Sequence, residues 1–316
     1  MAGKRIIAVA GATGAQGGGL VRAIQAAADS GFSARALTRN PDSPAARELA
    51  ALGAEVVAAD LDDPTSVRRA FEGAHGAYCV TFFWAHMSPE TELRQAETLA
   101  NAACDADVAH VVWSTLEDTR RWVPLADARM PTLQDRYKVP HFDAKGEANA
   151  FFRDLGVPTT FLYTSFYWNN LIHFGMGPKP GPDGRLAITM PMGDRPLPGI
   201  ASEDIGGCAL GVFRKGRELI GHEVGISGEH LTGRQMAETL TRVLGREIVY
   251  HDVPPETYRG FGFPGADDLG NMFQFNRDFS DDFCAARSVA FSRELNPELQ
   301  TFEEWLTRNR ERIPIG

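Results

Sequence analysis

The sequence predicts an α/β protein built on a doubly wound parallel sheet, with a smaller, mostly helical C-terminal part. Three observations lead there. A glycine-rich turn, Gly11-Ala12-Thr13-Gly14-Ala15-Gln16-Gly17, follows an apolar run and precedes a helical one. Strand-like and helix-like runs then alternate as far as residue 163. After about residue 165 the rhythm stops, and Pro and Gly cluster at Met176–Pro182. A glycine turn between a first strand and a first helix is the mark of a Rossmann-type sheet, because it lets a pyrophosphate reach the helix N-terminus.

The elements follow in order. Residues 5–10 read as a buried strand and 20–28 as the first helix. Residues 33–38 are the second strand. Asp42 and Ser43 then start a helix that runs to Leu52 and stops at Gly53. Residues 54–59 are the third strand. Asp63 caps the next helix, with Pro64 in its first position. Residues 76–81 form the fourth strand, 89–106 a helix, 109–114 the fifth strand, 141–155 a helix and 159–163 the sixth strand. Residues 115–140 interrupt this pattern. A connection of that length is usually functional or mobile, and it leaves the fifth strand at the carboxyl edge of the sheet, where ligands bind. Helices are expected at 202–215, 232–244 and 302–310, the first of them returning to the sheet. The division is therefore residues 1–165, with a returning segment near 195–228, and residues 166–316.

Bulk properties exclude several classes. The 316-residue chain is 43% hydrophobic and 23% charged, an ordinary globular composition. A net charge of −9 argues against a nucleic-acid partner, which needs a basic stripe. No apolar run is long enough for a bilayer, and the N-terminus leaves no room for a signal peptide. The 4 cysteines are scattered, without a metal-binding pair, which suits a reducing, cytoplasmic location.

The glycine turn predicts a dinucleotide cofactor, and the second strand says which one. NAD-binding sheets carry an acidic residue at the end of that strand, holding the ribose 2′-hydroxyl. Here the strand ends Leu37-Thr38-Arg39-Asn40. A guanidinium matches a phosphate in two-pronged fashion, so Arg39 points to NADP(H). Asp60-Leu61 stands where the adenine is flanked, although Asp60 also reads as a loop aspartate ahead of the next helix.

Ser114 and Lys145 sit where short-chain dehydrogenases place a serine and a lysine. The tyrosine expected four residues before the lysine is absent, and His141 stands there. Residues i and i+4 share a helix face, so His141 and Lys145 project together. Three readings stay open: His141 as the acid, Tyr137 one turn earlier as a substitute, or a site without the proton-transfer group. Lys145 reads as a ribose contact. The aromatic run Tyr167-Trp168-Asn169-Asn170 reads as a ring-stacking pocket over the nicotinamide.

These residues resemble the NmrA-like family, atypical short-chain dehydrogenase/reductase proteins. The matching pieces are Gly11–Gly17, Thr38-Arg39-Asn40-Pro41, His141–Glu147, Phe152–Pro158, Phe263–Ala266 with Asp268-Leu269, and Asn271-Met272-Phe273. The resemblance is strongest to the branch of the human NmrA-like family domain-containing protein, where histidine for tyrosine is part of the pattern. It implies NADP(H) binding through Gly11, Ala12, Thr13, Gly14, Ala15, Gln16, Gly17, Arg39, Asn40, Asp60, Leu61, Thr81, Phe82, Phe83, Lys145 and Tyr167–Asn170. Thr81-Phe82-Phe83-Trp84 is more apolar than that branch's version, which removes a polar contact at residue 82. The resemblance further implies a sensor of NADPH/NADP status working through an unidentified regulatory protein partner. A small-molecule ligand in the interdomain cleft, no metal, no membrane, and a monomer or homodimer complete the expectation. The competing class is an NADPH-dependent reductase of a quinone or enone-like molecule.

Overall fold

The structure, a computed structural model, describes residues 4–27, 29–181 and 183–315. Ala28 and Pro182, which fall in the expected first helix and the Pro/Gly cluster, lie outside the described residues. The first half alternates β1 (Arg5–Val9), α1 (Ala15–Ala26), β2 (Phe32–Thr38), α2 (Pro44–Ala51), β3 (Glu55–Ala58), α3 (Pro64–Phe71), β4 (Gly76–Cys79), α4 (Pro89–Asp105), β5 (His110–Thr115), α5 (Pro140–Asp154) and β6 (Thr159–Tyr163). Local signals account for the helix starts. Ser43, Asp63 and Ser88 each accept a backbone N–H of the following turn, and each is followed by proline at the head of its helix.

The later half supplies β7 (Phe166–Tyr167), α6 (Asn170–His173), β8 (Lys179–Pro180), β9 (Leu186–Met190), β10 (Leu197–Ile200), α7 (Ser202–Lys215), β11 (Glu223–Gly225), β12 (Glu229–Leu231), α8 (Gly233–Leu244), β13 (Ile248–Asp252), α9 (Pro255–Arg259), α10 (Ala266–Asp278), α11 (Ser280–Ala285), α12 (Val289–Leu295) and α13 (Phe302–Asn309). The large sheet has 7 strands in the order β11-β6-β5-β4-β1-β2-β3. Every pairing in it is parallel. Alternate residues of β1 feed opposite faces: Ile7 and Val9 pack with α1 and α7, Ala8 and Ala10 with α3 and α4.

Most of the regular structure in the C-terminal part is helical, and two three-stranded sheets that the sequence reading did not give, β12-β10-β7 and β13-β9-β8, join it. Their strands are 2–5 residues long and interrupted by Pro180, Pro198 and Gly199, so no period-2 pattern develops. The segment 115–140 is pinned rather than loose. The buried Asp143 carboxylate accepts from Thr119 N (2.7 Å) and Oγ1 (2.6 Å), Lys138 N (2.7 Å) and Val139 N (3.0 Å). Lys138 Nζ donates to the carbonyls of Asp127 (2.8 Å) and Met130 (2.7 Å).

Segment 202–215 lies where the sequence placed it. Helix α7 crosses α1 so closely that a β-carbon on Gly206 would overlap the backbone of Gly19 and Leu20. Strand β11 then pairs with β6 as the seventh strand. Among the described residues, no helix is long and apolar enough to cross a membrane, and no cluster of His, Cys, Asp and Glu could hold a metal ion.

Candidate functional site

The glycine turn ends β1 at the carboxyl edge. Gly11 takes φ +60°, in the left-handed region that glycine tolerates. A β-carbon on Gly17 would collide with the Gly11 carbonyl, so the third glycine lets the helix start close against the strand. Gly14 is the N-cap of α1 and offers no side chain to cap it. The backbone N–H groups of Ala15, Gln16 and Gly17 find no acceptor among the described residues. Gly11, Thr13, Gly14 and Ala15 are exposed, while Ala12 is buried. Uncapped donors at a helix N-terminus suit an anionic ligand.

Gln16 is committed to the protein. Its Oε1 accepts from Ser114 Oγ (2.8 Å) and from the Tyr78 hydroxyl, and its Nε2 donates to the Tyr167 hydroxyl (2.5 Å). Ser114 thus braces the turn and makes no bond to His141. Arg39, at the end of β2, is exposed and makes no ion pair or hydrogen bond among the described residues. Asn40 folds back on its own loop, its Oδ1 accepting from Asp42 N at 3.0 Å. Asp60 does likewise, accepting from Asp62 N at 3.1 Å, while the cap of the next helix is Asp63. Leu61 is half-buried.

Lys145 is buried, and its ammonium has three partners: Glu92 Oε1 (2.6 Å), Thr81 Oγ1 (2.7 Å) and the Thr81 carbonyl (3.2 Å). Thr81 Oγ1 in turn donates to Glu92 Oε1. Glu92 was missed by the sequence reading. Burial alone would raise its carboxyl, yet the adjacent Lys145 charge, with His86 nearby and Lys145 and Thr81 bonding, holds it down at about 2. His86 Nδ1 accepts from Ser88 N at 3.1 Å, which leaves Nε2 facing Glu92 Oε2 at 3.4 Å.

His141 lies one turn before Lys145, as the spacing requires. Its Nδ1 is 2.6 Å from Asp268 Oδ1, and its backbone N–H donates to Asp268 Oδ2 at 3.2 Å. Asp268, in the first turn of α10, was also missed as a functional partner. Tyr137 is buried with its hydroxyl unbonded and its ring flanked by the guanidinium groups of Arg120 and Arg136. Burial, together with the neighbouring Glu147, raises its pKa.

The run Tyr167–Asn170 does not form a ring-stacking pocket. Trp168 packs its ring against Phe302 (5.4 Å) and Trp305 (6.1 Å) in the C-terminal core. Asn169 Oδ1 accepts from Ser202 N at 2.9 Å, fastening the start of α7. The Tyr167 hydroxyl holds Gln16, and Asn170 opens the short helix α6. Phe83 is buried and Phe82 is exposed.

The comparisons with known proteins agree with this architecture. The NmrA-like family model matches residues 3–306. The NmrA-like family domain-containing oxidoreductase FrzB of Cladobotryum sp is 31% identical, over 86% of this chain and 84% of the relative. The nitrogen metabolite repression protein nmrA of Emericella nidulans is 30% identical, over 79% of this chain and 69% of the relative. Among solved structures, NmrA, a negative transcriptional regulator, is similar with a TM-score of 0.78 and 25% identity, covering 96% of this chain and 95% of that one. NmrA in complex with NADP gives a TM-score of 0.76 at 25% identity, covering 97% and 95%. With a family model matching nearly its whole length, the chain belongs to the NmrA-like family.

Proposed function

We propose that this protein binds NADP(H) at the carboxyl edge of the large sheet and prefers it to NAD(H). The observation that carries the reading is Arg39, a guanidinium with no partner among the described residues, at the strand end where NAD-binding sheets have a carboxylate. The uncapped N–H groups of Ala15, Gln16 and Gly17 suit the pyrophosphate. Lys145 is the expected ribose contact on this reading; its three N–H donors are held by Glu92 and Thr81, so cofactor binding would have to draw one of them away. NmrA has been crystallised with NAD and with NADP, so its fold admits both, and discrimination here falls to Arg39. Arg39→Ala should weaken NADPH by about 1.5–3 kcal/mol, roughly tenfold or more, and leave NADH unchanged. Calorimetric titration of both cofactors checks this. A variant that keeps the full preference would show that another residue reads the phosphate.

The motifs His141–Glu147 and Phe263–Ala266 support placement in the branch of the human NmrA-like family domain-containing protein. On that placement the protein senses NADPH/NADP status and acts through a protein partner. Similarity to a negative transcriptional regulator and the missing tyrosine support the same role. A second reading, an NADPH-dependent reductase, is favoured by the anchoring of His141 on Asp268. NADPH consumption with a quinone panel separates the two.

A further inference from the structure

We infer that the cavity between α5 and the α10–α11 pair is a second ligand site, and that it takes a zwitterionic aromatic amino acid. The cavity holds about 330 Å³, within the span of about 300–1,000 Å³ for small-molecule sites. Its walls come from residues 117–122, α5, β6, β11, α10 and α11. Helix α5 contributes Gly146 and Asn149, while Lys145 between them points to Thr81 and Glu92. None of the residues read as cofactor contacts lines the cavity, so the inference stands apart from the NADP(H) reading.

The walls select a ring. Trp122, Tyr163, Phe275, Phe279 and Phe283 line the cavity. Trp122 meets Phe275 edge-on at 5.6 Å between centroids, and Phe275 meets Phe283 the same way at 6.2 Å. Phe283 gives one face to the Arg287 guanidinium, 3.6 Å from its centroid. Trp122 and Phe279 are only half-buried and keep surface for a planar guest.

The buried lining has polar capacity left over. Tyr163 is 9% exposed, and its hydroxyl oxygen accepts from Asn149 Nδ2 at 3.1 Å. Its own O–H finds no acceptor among the described residues. Each oxygen of the Glu117 carboxylate takes one Arg287 N–H, at 2.6 and 2.9 Å, and keeps a lone pair to spare. Together these groups suit a ring edge that bears an N–H or O–H.

The exposed lining supplies the charges. Asp118 is already paired with Arg120 at 2.7 Å, and Glu223 with Arg153 at 2.8 Å. Asp282 and Arg121 line the same cavity, and neither has an ion-pair partner among the described residues, the other included. A free carboxylate and a free guanidinium beside one aromatic cavity match an ammonium and a carboxylate on one small molecule. A plain amine or a plain acid would satisfy only one of them.

The test uses the full chain and L-tryptophan as probe, with tryptamine and indolepropionate as its cation-only and anion-only counterparts. Calorimetry should give L-tryptophan a Kd of about 1 mM or lower, the same with and without NADPH. The Trp122 indole N–H resonance, assigned through Trp122→Phe, should shift during the titration. Tryptamine and indolepropionate should each bind about fivefold more weakly, the worth of one exposed ion pair at its upper end. Asp282→Asn should weaken L-tryptophan by about the same factor and leave indolepropionate as it was. Arg121→Gln should weaken L-tryptophan equally and leave tryptamine as it was. Both side chains are on the surface, and thermal denaturation checks that the fold is kept. Phe279→Leu, which keeps apolar volume and removes a ring, should weaken all three probes. Absence of saturable L-tryptophan binding overturns the inference. So does tryptamine or indolepropionate binding as tightly as L-tryptophan, or wild-type affinity in both charge variants. Binding that appears only with NADPH puts the probe at the cofactor edge and overturns it as well.

Discussion

Glu92→Ala is expected to lose about 3–5 kcal/mol of stability, because it strands a buried ammonium. Glu92 is fully buried, and its Oε1, 2.6 Å away, is the only anion on Lys145 among the described residues. Deleting it leaves Lys145 with the two oxygens of Thr81 and no countercharge. Acid should mimic the deletion. A carboxylate held at about 2 in the folded protein, against an ordinary 4.5, contributes stability that is fully present above pH 4.5. That contribution is lost as pH falls toward 2. Denaturant unfolding of wild type and variant across this range checks both effects. Equal midpoints at neutral pH would show that the Glu92–Lys145 pair carries no net stability.

Gly206→Ala is expected to lose about 3 kcal/mol or more, at the upper end for overpacking. The added methyl meets the main chain of Gly19 and Leu20, which cannot step aside as a side chain could. Helix α1 must retreat from α7, and it carries the turn at residues 11–17 with it. NADPH affinity should therefore fall together with the unfolding midpoint, although residue 206 lies far along the chain from that turn. Urea unfolding and calorimetry on the same preparation test the pair of effects. An unchanged midpoint would mean that the two helices do not cross as tightly as described.

The first six strands and five helices were legible because their signals are local. Ser43, Asp63 and Pro64 announce helix starts within a few residues, and the strands are long enough to show as apolar runs. The returning helix at 202–215 was legible for the same reason. The small C-terminal sheets were not. Strand β9 pairs with β13, far away in sequence, and neither carries a pattern that names its partner. Site residues divide in the same way. Arg39, His141 and Lys145 stand at fixed offsets from the glycine turn or from one another. Glu92 looks like any acid in the first turn of a helix, and Asp268 like one of two adjacent acids at another helix start. Only the packing of α4 and α10 against α5 gives each its partner. Trp168 misled because an aromatic after β6 fits a pocket or a core equally well, and β10 with α13 decides for the core.

Strand β11 has a consequence for how the chain is made. Synthesis releases β6 long before residues 223–225, which cover its outer edge. Until they emerge, Thr159–Tyr163, paired with β5 on one side only, is an edge strand whose 5 residues are all buried in the finished protein. Such an edge invites pairing with another nascent chain. A ribosome stalled between the two strands, or a gene cut after residue 165, is expected to yield aggregates rather than a free-standing nucleotide-binding module. Expression trials that seek the smallest soluble unit should keep at least residue 225.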